Sequence, residues 1–256
     1  MPAERAIVPF AFAERFFGEG AVALAVFGWW AAAHRLPEFI LPGPLPVARR
    51  LLELFITPAF LQDVWTSTWR VLVSIVLALV IGGGLAFLAH GAPSLEGIVD
   101  RRIKPVLNSF PSIGWAILAA IWFNPGSFGV IFVETAILIP FCLINIAEGL
   151  RNIDRELMEM GQSFTRRRLR ILWRLTFPLL VPYGLSAVRI AYGVAWKIAL
   201  VAELLGATDG LGYLMLRAQT AADSTTFLAT CFAIVLIFVA GERLVIAPLE
   251  RRFARR

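Results

Sequence analysis

An all-α bundle crossing a membrane six times is the fold class this sequence predicts, and three observations carry the prediction. Of its 256 residues, 59% are hydrophobic and only 16% charged, against about 25% charged in ordinary globular chains. Six apolar runs, most of them near the roughly 20 residues a helix needs to cross hydrocarbon, are separated by short polar links. The basic residues gather in blocks between those runs. A soluble globular domain is therefore excluded. The net charge of +6 would suit a nucleic-acid binder, but the block placement points to membrane orientation instead, and no nucleic-acid partner is expected.

Taken in order, residues 1–19 form a mixed N-terminal segment with Phe10, Phe12, Phe16 and Phe17 spaced for an interfacial stretch. Glu14, Arg15 and Glu19 precede the first apolar run, which lacks a clear cleavage site, so no cleaved signal is read. The first span, 20–33, is short and must tilt or borrow flanking residues. Four prolines and a glycine in 36–46 rule out a continuous helix there. Val47, Leu51, Leu54 and Phe55 share one side of an amphipathic segment, 47–60, expected along the surface. The second span, 69–89, holds Gly82, Gly83 and Gly84, which permit close approach of a neighbouring helix. The third, 106–123, is interrupted by Pro111 and Gly114, and Asn124-Pro125-Gly126-Ser127 turns the chain into the fourth, 128–147, with a kink expected near Pro140. The fifth span is 183–205, a short helix is expected over 213–222, and the sixth span is 227–246. Cys142 and Cys231 lie inside apolar runs, so no disulfide framework is indicated.

The long polar interruption is 156–182. Leu157, Met160 and Phe164 share one helical face, and Leu169, Leu172, Trp173 and Thr176 another. Arg166, Arg167, Arg168, Arg170 and Arg174 keep this stretch out of hydrocarbon. It is either a basic loop on anionic headgroups or a docking element for a soluble partner. Most of the 24 basic residues fall on its side of the bundle, from Arg5 and Arg15 through Arg101, Arg102 and Lys104 to the terminal arginines. Arg35, Arg49, Arg50 and Arg217 fall on the other. The positive-inside rule then makes both termini and this stretch cytoplasmic.

The 156–182 stretch resembles the EAA loop of permease subunits of binding-protein-dependent ABC importers. Glu159-Met160-Gly161 stands for Glu-Ala-Ala, Thr165 stands where the loop glycine belongs, and Phe177-Pro178 stands for the closing Leu-Pro. The two alanines and the glycine are not matched. The likeness extends along the chain: Leu41-Pro42-Gly43-Pro44 resembles the segment after the first span, and 194–197, 202–207 and 210–213 resemble the fifth span and its exit. These are similar to the subfamily importing sulfonates, taurine, nitrate, bicarbonate and related solutes. The resemblance implies a single permease domain over 1–256, like those of type I importers, with a coupling loop at 150–177. It also implies a bacterial inner-membrane location, a second copy of the permease, two ATP-binding subunits and an extracytoplasmic solute-binding protein. Glu156, Glu159, Met160, Gly161, Phe164, Thr165, Arg166 and Arg167 are the implied ATPase-coupling residues. With a β-branched residue at 165, negative φ is expected there, and Gly161 or a shifted helix boundary is expected to absorb the turn.

No nucleotide-binding loop is present, since Lys104 precedes Pro and Lys197 precedes Ile. No metal-ligand cluster and no nucleophile elbow are seen, so no cofactor and no enzymatic activity are expected. Ionisable residues inside spans are Glu134, Arg189, Lys197 and Glu203; each either serves a polar pathway or pairs with another span. Tyr192, Trp196, Lys197 and Glu203 are the candidate pathway residues, with packing the alternative for the two aromatics. Lys197 and Glu203, six apart, face different directions on a helix. A secondary transporter is the competing reading, but no internal repeat supports it.

Overall fold

The computed structural model describes residues 8–165 and 167–253, which form helices and the turns that join them. The first helix, α1, runs Val8–Ala33, so residues 8–19 are helical and continuous with the first apolar run. Residues 1–7 of the expected interfacial stretch lie outside the described residues, as do Arg255 and Arg256. Pro44 opens α2, Pro44–Ile56, where its missing N–H costs nothing. Val47 and Leu54 are buried, and α2 packs against α12 (Ser224–Gly241, below) and α3. The expected 47–60 segment therefore ends early. Thr57 is extended ahead of Pro58, as a residue before proline prefers, and α3 begins there.

Helix α3, Pro58–Gly91, starts well before the expected 69. Three polar residues of its early turns, Asp63, Ser67 and Arg70, have partners on other elements. The polar link that follows contains α4, Pro93–Ile98, and α5, Lys104–Ser109. The third span is broken at Pro111, as expected: α5 and α6, Ser112–Trp122, meet at a bend of 80°. Phe110 is extended before Pro111, and the helical ladder stops there. Helix α7, Ser127–Arg151, is continuous through Pro140. After it come α8, Arg155–Phe164, α9, Arg168–Ile171, and α10, Phe177–Gly206. Helix α11 spans Leu211–Thr220, α12 spans Ser224–Gly241, and α13 spans Ala247–Phe253. Asp223 caps α12 by accepting from the Thr226 N–H at 2.9 Å. Burial alone would raise its carboxyl, but the Thr226 hydrogen bonds and nearby Arg50 hold it below the usual carboxylate range.

Three π turns, Val99–Ile103, Leu172–Thr176 and Glu242–Ile246, each precede a proline by two residues: Pro105, Pro178 and Pro248. A proline cannot donate, and its ring collides with the carbonyl four residues back. Slipping the ladder by one residue just ahead of it keeps the helix going. Helical runs therefore extend over Leu169–Gly206 and Ser224–Arg252, longer than the fifth and sixth spans read from hydropathy.

Four described runs are long and apolar enough to cross a membrane: α3, α7, Leu169–Gly206 and Ser224–Arg252. The bent α5–α6 region makes a fifth. Gly20–Ala33, the apolar part of α1, is shorter than these. The main core joins α2, α3, α7, α10, α11 and α12. Within it α3 and α7 touch backbone to backbone at Gly82, where an added Cβ would meet Ile139 O at 2.7 Å and Leu143 N at 2.9 Å. Gly83 and Gly84 face open space.

Gly82→Ala is expected to destabilise the folded protein by about 1–3 kcal/mol through overpacking. Gly83→Ala is expected to be neutral or stabilising, since alanine is the better helix former. Thermal unfolding in detergent, run on both variants, checks the opposite signs.

Candidate coupling hairpin and buried ionic clamp

The polar interruption folds as a hairpin of α8 and α9. Asp154 caps α8 by accepting from the Glu156 N–H at 2.9 Å. Leu157, Met160 and Phe164 line one face, as their spacing predicts, and that face is exposed among the described residues, most at Phe164, which is 83% exposed. Glu156, Glu159 and Arg167 are also exposed. Gly161 stays inside α8 and does not make the turn. Its lack of a side chain serves packing, because a Cβ there would lie 2.9 Å from Leu175. Thr165 ends α8 with φ −157°, extended as a β-branched residue prefers, and its hydroxyl accepts from the Arg167 N–H at 3.3 Å. The turn is thus made by the helix boundary. Arg166 lies outside the described residues.

The second apolar face is not a single face. Thr176 is buried, whereas Leu169 and Trp173 are exposed. The π turn between them breaks the 3.6-residue register on which the expectation rested. Leu169 and Trp173, with Arg167, Arg170 and Arg174, line a surface recess of about 590 Å³. Behind the hairpin lies a cavity of about 810 Å³, walled by Phe87, His90, Leu150 and Arg151 on the bundle side and by Met158, Gln162 and Thr165 on the hairpin. The hairpin therefore rests on the bundle at few points.

At the opposite end of the bundle the packing is of another kind. Arg70, on α3, is fully buried. Its Nη1 donates to Glu203 Oε1 and to the Asp209 carbonyl, each at 2.9 Å. Its Nη2 donates to Ser127 Oγ at 2.9 Å and to the Asp209 carboxylate. Glu203, on α10 and equally buried, also accepts from Ser67 Oγ at 2.8 Å and from the Gly212 N–H at 2.9 Å. The Leu211 N–H donates to Ser67 Oγ, and the Gly210 N–H to Asp63 Oδ1, both at 2.9 Å. Three successive amides at the start of α11, which no helical carbonyl can serve, thus find acceptors on α3 and α10. Gly210 has φ +99°, and a Cβ there would strike the Glu203 carboxylate at 2.6 Å. Gly212 lets α11 approach the Leu200 carbonyl, 2.5 Å from where a Cβ would sit.

The candidate pathway residues separate accordingly. Glu203 belongs to this clamp and lines no open space. Tyr192 donates to the Phe238 carbonyl at 3.1 Å and stacks on that ring at 5.3 Å; Trp196 packs edge-on to Tyr192. Both are buried against the bundle. Lys197 alone is exposed, on the stripe of α10 that includes Ile190 and Val201. Glu134, on α7, is fully buried with no hydrogen-bond partner among the described residues. Sequence reasoning passed over Arg70, Ser67 and Asp209. The usable signal was a lone arginine within an apolar helix, which requires a buried acid on another element.

The long apolar helices and the basic hairpin are those of a polytopic membrane protein. Residues 25–253 match the family described as binding-protein-dependent transport system inner membrane component, and the chain belongs to that family. It is 27% identical over 243 residues to the taurine transport system permease protein TauC of Escherichia coli (strain K12), covering 91% of this chain and 86% of that one. It is 24% identical over 241 residues to the nitrate import permease protein NrtB of Synechococcus elongatus, covering 87% and 86%. The formylaminopyrimidine transport permease protein ThiX of Halalkalibacterium halodurans is 25% identical over 217 residues, covering 83% and 85%. Among solved structures, an inward-facing conformation of the MetNI methionine ABC transporter superposes with TM-score 0.60 at 18% identity. That match covers 75% of this chain and 96% of the other, and the fold is shared. The chain is thus a permease component of an ABC importer.

Arg70→Ala is expected to lose most folded protein, because stranding buried Glu203 costs about 3–5 kcal/mol. Asp209→Asn removes only a half-exposed partner and is expected to cost about 0–1 kcal/mol. Yield and thermal unfolding of the two purified variants test the difference.

Proposed function

We propose that two copies of this chain form the pathway of a bacterial inner-membrane importer and that two separate ATP-binding subunits dock on their α8–α9 hairpins. An extracytoplasmic binding protein delivers the solute. The observation that carries this reading is the uncovered face of Leu157, Met160 and Phe164, flanked by exposed Glu159 and Arg167, on a member of a binding-protein-dependent family. Six spans follow if α1 crosses the membrane and α5 with α6 crosses once, beside α3, α7, α10 and α12. The block placement of arginines supports cytoplasmic termini and a cytoplasmic hairpin. The solute is small and anionic: Lys197 is an exposed cation of α10, and of the named solutes of two relatives taurine carries a sulfonate and nitrate is an anion. Lys197 faces the pathway between the two copies, with Tyr192 and Trp196 buttressing α10 from behind. ATP-driven closure of the ATPases swings the hairpins and so alternates access.

In proteoliposomes holding the assembled complex, Glu159→Lys is expected to abolish solute uptake while ATP hydrolysis persists. Normal uptake by that variant sinks the docking assignment and leaves the hairpin as a headgroup-binding loop. In the same assay Lys197→Ala is expected to slow uptake with assembly and hydrolysis retained, and loss of the folded complex instead identifies a structural charge.

Orientation is read separately. A cysteine at Gly43, in a background without Cys142 and Cys231, is expected to react with a membrane-impermeant maleimide on intact cells from which the outer barrier has been removed. Labelling only after lysis overturns the orientation.

A further inference from the structure

Motion at a helix end is normally lost in the loop that follows. The helical run Leu169–Gly206 begins in the hairpin and continues for 38 residues, a length of about 57 Å at 1.5 Å per residue. It ends at the clamp. We propose that Ser67, Arg70 and Glu203 are positioning residues for transport that make α11 a rigid extension of α10, so that a displacement of the hairpin reaches α11 undiminished. This rests on the reading of the hairpin as the ATPase docking element.

The geometry leaves the connecting loop no slack. The amides of Gly210, Leu211 and Gly212 are held in succession by Asp63, Ser67 and Glu203. Gly206 accepts through its carbonyl from the Gly126 N–H at 2.9 Å, which ties the end of α10 to the start of α7. Ser67, Arg70, Glu203 and Leu211 are all sealed from solvent, so water cannot replace the bonds that a movement of α11 would break. Gly212 seats α11 on the α10 backbone at a distance no other residue allows. Asp209 differs: its side chain is 53% exposed, and if it lets go, Arg70 stays neutralised by Glu203. The buried arm therefore carries the load, and the exposed arm trims it. The readout separates the clamp from an ordinary stabilising ion pair, because a pair that only stabilised the fold would leave the solute moved per ATP unchanged in the protein that assembles.

The test uses the complex with its ATPase in proteoliposomes, with spin labels at Leu205 and Thr220 in a background lacking Cys142 and Cys231. The label-to-label distance is expected to be the same without nucleotide and with ATP trapped by vanadate. Ser67→Ala, which removes both the donor to Glu203 and the acceptor of the Leu211 N–H, is expected to broaden that distance and to cut solute moved per ATP roughly fivefold, the equivalent of about 1 kcal/mol. Asp209→Asn is expected to leave the same ratio within about twofold, as a solvent-screened pair should. A nucleotide-dependent shift of α11 against α10 in the unsubstituted clamp overturns the proposal, as does an unchanged ratio in Ser67→Ala. If Ser67→Ala does not accumulate, the distance measurement on the unsubstituted clamp decides alone. A complex that neither assembles nor hydrolyses ATP before any clamp substitution overturns the docking reading instead.

Discussion

The guanidinium of Arg70 is the constraint around which one end of the bundle is arranged. A cation in a low-dielectric interior is tolerated only when its charge is matched and its donors are used. Glu203 matches the charge, and Glu203, Ser127 and Asp209 between them use the donors. The demands then spread outward. Glu203 has acceptor capacity left over, which the start of α11 fills. That in turn requires glycine at 210 and 212, since any side chain there would collide with the carboxylate or with the α10 backbone. Gly210 and Gly212 are thus a consequence of one buried charge.

The other end is built from weaker material. Each of the three π turns lies toward the hairpin, and each accommodates a proline that would otherwise break its helix. A ladder slipped by one residue has poorer hydrogen-bond geometry than a regular α-helix. The hairpin itself stands off the bundle over a cavity of about 810 Å³. Beside that cavity the end of α7 is tied to α4 by an exposed ion pair, Arg151 with Glu96 at 3.0 Å, of the kind that contributes little to stability. A molecule that is bonded and dry at one end and loosely supported at the other is suited to moving as a lever.

Between the two ends the helices meet through small residues. Gly82 brings α3 onto α7, and Gly149 accepts the Tyr183 ring and Leu180 of α10, where a Cβ would lie 2.6 Å from the ring. In hydrocarbon there is no solvent-driven force between helices, so such close approach supplies much of the attraction. Glu134 and Thr135 stand out in this apolar middle, both buried on α7 with side-chain oxygens that have no hydrogen-bond partner among the described residues.

Class, helical content, the basic hairpin and most span positions were determined by the sequence itself. Hydropathy and charge act over a whole segment, and a membrane enforces them locally: 20 apolar residues must be helical wherever they sit. The shared face of Leu157, Met160 and Phe164, and the negative φ of Thr165, were legible for the same reason, being properties of one helix and one residue. Helix ends at prolines were read less well, because a π turn can carry a helix past a proline that looks like a start signal; the split face of Leu169, Trp173 and Thr176 follows from that slip. The bend at Pro111 was visible as a break, but its 80° angle was not. What only the tertiary structure decided is which polar residue meets which. Ser67 and Glu203 are 136 positions apart, and no periodicity links them. Their contact depends on how α3 and α10 cross, which is set by the summed packing of the bundle, and it moved Glu203 from a pathway candidate to the centre of the clamp.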